Sequence, residues 1–78
     1  MGVKIVKITW VDSYAEHGWC RIDELTMIPP LVESVGYVLQ RNRVSITIVQ
    51  SISDTEHYDH VMTIPRGCIK SIKELSNG

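Results

Sequence analysis

Two tryptophans, a carboxylate and a hydroxyl fall within ten positions in a chain that contains no phenylalanine: Trp10, Asp12, Ser13 and Trp19. Indole faces can sandwich a nucleobase, each stack being worth about 1–3 kcal/mol, while a carboxylate accepts from a base N–H or a ribose hydroxyl. With Gly18 closing the loop ahead of Trp19, these residues describe the mouth of a ligand site. They also admit a structural reading, in which Trp10 plugs a barrel, Asp12 and Ser13 cap a turn and Gly18 supplies a positive φ. Gln50, Ser51 and Ser53 form a polar ending to an apolar strand. Gln50 breaks that strand's apolar face, so its amide must bond backbone or face a polar ligand. Arg66, between Pro65 and Gly67, suits a bidentate contact to phosphate or carboxylate, or else sits solvated in its turn.

Other chemistries find less support. His57-Tyr58-Asp59-His60 and His17-Gly18-Trp19-Cys20 contain zinc-ligand types, but structural zinc sites show two tight, Cys-rich pairs and each cluster here has at most one thiol. Ser13, Cys20 and Cys68 lack the Gly-x-Ser-x-Gly elbow of an activated nucleophile, and no phosphate-binding glycine loop is present. The expectation is a protein that is not an enzyme and holds neither metal nor cofactor.

The elements that must position these residues read as strands. Val44-Ser45-Ile46-Thr47-Ile48-Val49-Gln50-Ser51-Ile52 alternates apolar and polar, and Val35-Gly36-Tyr37-Val38-Leu39 offers a partner across the polar turn Gln40-Arg41-Asn42-Arg43. Residues 3–11 are rich in β-branched side chains on both faces. His60-Val61-Met62-Thr63-Ile64 reads as a fourth strand. Ile69, Ile72 and Leu75 fit a helix face, but residues 69–72 fit a short strand after a tight turn equally well. A short helical insertion is expected near residues 21–27, ended by Pro29-Pro30. The expected core is Val6, Ile8, Val35, Tyr37, Leu39, Ile46, Ile48, Met62, Ile64, Ile69 and Ile72.

At 78 residues the chain holds one small domain, residues 1–78, with eight Lys and Arg against nine Asp and Glu. That balance removes the basic footprint of a protein that binds nucleic acid through phosphates. No apolar run reaches the roughly 18–20 residues that cross a bilayer, and the opening residues lack a signal-peptide core, so a cytoplasmic protein with no membrane partner is expected. Two cysteines are too few for a disulfide framework. So small a domain, with apolar residues on both faces of its first strand, is expected to bury more surface as a homo-oligomer.

A hairpin, a polar loop, a further strand and then Ile64-Pro65-Arg66-Gly67-Cys68-Ile69 leading to a last apolar stretch resembles the closing half of five-stranded barrels of the Sm-like and Src-homology type. That resemblance covers residues 34–75 and implies an all-β, partly open barrel. Trp10-Val11-Asp12-Ser13, Gly18-Trp19, Ser34-Val35-Gly36-Tyr37 and Ile64-Pro65 together resemble a group of short bacteriophage proteins. Some small phage proteins of comparable architecture sequester nucleotide signals of host immunity. The resemblance therefore implies a non-enzymatic protein of the host cytoplasm that captures a nucleotide-like molecule at an oligomer interface. Trp10 and Trp19 would stack the base, Asp12 and Ser13 would read base or ribose, Gln50 and Ser51 would line the site, and Arg66 would pair with phosphate. The alternative expectation is an adaptor that binds and inhibits a host protein through a strand edge and the indoles.

Overall fold

β-Branched residues dominate two of the five segments that extend into strands, the first and the third, and the pairing of the five strands builds the molecule. The computed structural model describes residues 3–13, 19–24 and 28–77, with the backbone alone for residues 24, 76 and 77. Lys4–Val11 forms β1, Leu31–Arg41 β2, Ser45–Ile52 β3, Tyr58–Pro65 β4 and Ile69–Asn77 β5. All pairings are antiparallel, in one sheet of order β4-β3-β2-β1-β5. The protein is thus all-β, and its sheet does not close: β4 and β5 remain as edges. The helical insertion expected at residues 21–27 is one 3₁₀ turn, Ile22–Glu24, with residues 25–27 outside the described set. The ambiguous C-terminal segment resolves as a second 3₁₀ turn, Arg66–Cys68, followed by β5. Pairing with β1 settles it, since Trp10 lies opposite Ile69 and Ile8 opposite Ile72.

Register shifts bend this sheet. Leu39 is skipped between the pairs Val38–Ile48 and Gln40–Thr47, and two further irregularities interrupt the β1–β5 ladder. Extra residues of this kind increase local twist and curl a sheet toward a barrel. On the inner face Val6, Ile8, Ile46, Ile48 and Ile64 form the core, with Trp10, Val38, Cys68 and Ile69 packed against them. Val49 is also buried, outside that cluster, between its cross-strand neighbours Tyr37 and Val61.

The inner face of β2 differs from expectation by one residue of parity. Val35 and Leu39 are exposed, whereas Gly36 is buried and Val38 meets the core. A one-residue slip exchanges the two faces of a strand, and here close approach rather than bulk decides. A Cβ on Gly36 would sit 2.9 Å from the Val49 carbonyl oxygen, so only glycine lets β2 lie this close to β3. Met62 and Ile72, also expected inside, are partly exposed, and among the described residues no second layer covers the sheet there.

The result is extended. The radius of gyration is 15.8 Å, against about 11–12 Å for a compact chain of this length. The molecule exposes 6176 Å², whereas a folded monomer of this mass exposes about 4,800 Å².

Candidate functional site

A concave feature arises where two strands part. β2 and β3 pair from Arg41–Ile46 as far as Tyr37–Val49. Beyond that rung β2 continues against β1 alone, and β3 against β4 alone. The wedge between them is a cleft of about 440 Å³ lined by Glu33, Ser34, Val35, Ile48, Gln50, His60, Val61 and Met62. Strand separation strips Val35 of a ladder partner on that side, and the Gln50 side chain replaces it by donating from Nε2 to the Val35 carbonyl. This accounts for the polar break in the apolar strand: Gln50 staples the strands at the point where they separate.

Apolar Val35, Ile48, Val61 and Met62 and polar Glu33, Ser34, Gln50 and His60 line the cleft, with Ser34 on the core face of β2 and its neighbours Glu33 and Val35 on the other. Ser34 Oγ accepts the Trp10 Nε1–H at 3.0 Å, which leaves the serine's own proton to donate elsewhere. The Glu33 carboxylate lies 3.3 Å from Lys7 Nζ in a solvent-exposed pair. At the far wall, His60 Nδ1 is 3.0 Å from Asp59 Oδ2. His60 holds φ at 58°, a left-handed conformation inside a strand that is uncommon for residues other than glycine, though less so for histidine than for most.

The residues singled out in the sequence divide into three places. Gln50 lines the cleft, and Trp10 lies behind it as a half-buried ring whose N–H is committed to Ser34. Asp12 and Ser13 finish β1: the Asp12 N–H donates to the Pro30 carbonyl at 3.0 Å and the Ser13 N–H to Asp12 Oδ1 at 2.8 Å. Trp19 is wholly exposed, at 105% of its reference area, and Gly18 lies outside the described residues. Ser51 is exposed opposite Asp59, one residue past Gln50 and so on the other face of β3. Arg66 stands at the opposite end of β3, where its Nε–H donates to the Asn42 carbonyl at 2.9 Å and its backbone N–H to the Val44 carbonyl at 2.8 Å. Five residues of strand separate that end from Gln50, roughly 17 Å, so Arg66 and Gln50 do not share one site within a copy.

Glu33, Ser34 and His60 are cleft residues that sequence reasoning passed over. Their signals were a hydroxyl and a carboxylate beside apolar positions in β2 and an imidazole opening an apolar strand. Nothing in the sequence alone says that the strands carrying them diverge. Among the described residues no three His, Cys, Asp or Glu side chains gather to hold a metal, and His17 lies outside that set. Compared with known protein families, curated proteins and solved structures, the chain matches none.

Proposed function

We propose that this chain is a non-enzymatic, phage-type binding protein that sequesters a nucleotide-derived small molecule, with its base in the β2–β3–β4 cleft and the site completed by another copy. The observation that carries this reading is a cleft lined by the polar side chains of Ser34, Gln50 and His60 beside apolar Ile48 and Met62. A volume near 440 Å³ lies within the roughly 300–1,000 Å³ typical of small-molecule sites. A flat heterocycle fits against Ile48 and Met62, its edge meeting a Ser34 donor and a Gln50 amide oxygen. Trp10 serves as a positioning residue, because its N–H orients the Ser34 hydroxyl toward the ligand. We also read the curled sheet, with its 3₁₀ turn before the last strand, as a partly open barrel of the Sm-like and Src-homology type. The exposed Trp19 indole supports a second reading, an adaptor that anchors on a host protein.

Calorimetric titration with cyclic dinucleotides and with ADP-ribose derivatives tests the first reading. One of these should give saturable heat that falls at least tenfold in affinity in Gln50→Ala and in Ser34→Ala, with far-UV circular dichroism unchanged. No heat from any member of the panel, or binding indifferent to both substitutions, overturns it.

A further inference from the structure

The two ends of β3 carry opposite charge, and among the described residues no ion pair joins them. At one end, residues 53–59 hold three exposed carboxylates, Asp54, Glu56 and Asp59. At the other, Arg41, Arg43 and Arg66 are exposed around the β2–β3 turn. No acidic residue occurs from residue 34 to 53 or from 60 to 73. None of the three arginines has an acidic partner among the described residues. The strand between the ends spans roughly 23 Å, two to three Debye lengths at physiological ionic strength.

Both ends are held in place. At the acidic tip, the Ser53 N–H donates to the His57 carbonyl at 2.9 Å, the Glu56 N–H to the Ser53 carbonyl at 3.0 Å and the His57 N–H to Ser53 Oγ at 3.0 Å. At the arginine end, Asn42 Oδ1 accepts the N–H groups of Val44 and Ser45 at 2.8 and 2.9 Å, and Arg66 ties the following turn to the same backbone. Each end also carries uncovered apolar surface: Ile52 and Tyr58 form the last rung below the acidic tip, and Val44 is 75% exposed between the arginines.

We infer that copies of this chain associate head to tail, the acidic β3–β4 tip of one docking on the arginine-lined β2–β3 turn of the next. Val44 packs against Ile52 and Tyr58, and the opposite charges surround that contact. Surface area fits the same arrangement. The molecule exposes 6176 Å², about 1,400 Å² more than a compact monomer. Each copy in a head-to-tail series takes part in two contacts, and standard interfaces remove about 800 Å² from each partner. Because tip and turn are different surfaces, the contact is heterologous and generates a ring or an open chain.

Sedimentation velocity without nucleotide tests this independently of any ligand. The unmodified protein should exceed monomer mass at micromolar concentration, with association weakening about tenfold or more from low to high salt. The double variants Asp54→Lys/Glu56→Lys and Arg41→Glu/Arg43→Glu alter only exposed positions and should each remain largely monomeric while keeping the native circular dichroism. Mixed together they should associate again, since the reversed tip of one fits the reversed turn of the other. A monomeric unmodified protein, association unchanged by either reversal, or a mixture that stays monomeric overturns the inference.

Discussion

Replacing Gly36 with alanine probes the closest approach in the sheet. The new Cβ would lie 2.9 Å from the Val49 carbonyl oxygen and 3.2 Å from Ile48 Cβ. That is roughly half an ångström inside ordinary van der Waals contact with the oxygen, and the obstacle is backbone, which cannot rotate away. Overpacking of this kind costs about 1–3 kcal/mol. Reduced freedom of the unfolded chain returns about 0.4–1 kcal/mol. A net loss of about 1–2 kcal/mol is expected for Gly36→Ala. Gly67→Ala supplies the control, because a Cβ there meets nothing within 4 Å. It keeps only the unfolded-state gain, about 0.4–1 kcal/mol. With a urea slope near 1 kcal/mol/M, the unfolding midpoint should fall by about 1–2 M in the first variant and rise by a fraction of a molar unit in the second. Both must be measured at one protein concentration, since self-association would shift the midpoint. A midpoint for Gly36→Ala at or above that of the unmodified protein would refute the argument that close backbone approach sets the parity of β2.

The two indoles should report their surroundings separately. Trp19→Phe leaves Trp10, whose emission should be blue-shifted and poorly quenched by iodide, whereas Trp10→Phe leaves a red-shifted, fully quenchable Trp19; equal quenching of both variants would contradict their placement. Asn42→Ala removes the acceptor of two turn N–H groups and should cost about 1–2 kcal/mol in chemical denaturation. An unchanged midpoint there would show that the turn holds without its side chain.

The existence of β1, β3 and β4 and the pairing of β2 with β3 were legible, from β-branched content in β1 and from period-2 alternation in β3. The inner face of β2 was not, since reading by bulk selects Val35, Tyr37 and Leu39, whereas packing selects Ser34, Gly36 and Val38. The bulge at Leu39 compounds this, for an extra residue exchanges the faces without a mark in the sequence. β5 was ambiguous because its apolar spacing suits two periods, and pairing with β1, some sixty residues earlier in the chain, resolves it. Of the candidate site, Gln50 was legible from its misfit with its neighbours. The cleft was not, because it depends on where β2 and β3 separate. Arg66 was legible as a turn residue, but not its bond to the Asn42 carbonyl.

The left-handed kink at His60 has a bearing on solubility. Between that kink and Pro65, which has no N–H to offer, the outer margin of β4 keeps only residues 61–64 in regular extension. So short a stretch makes a poor template for amyloid-type stacking, and edge strands in natural sheets are commonly interrupted in this way. Of the two margins of the sheet, β5 is therefore the one open to main-chain pairing with an incoming strand.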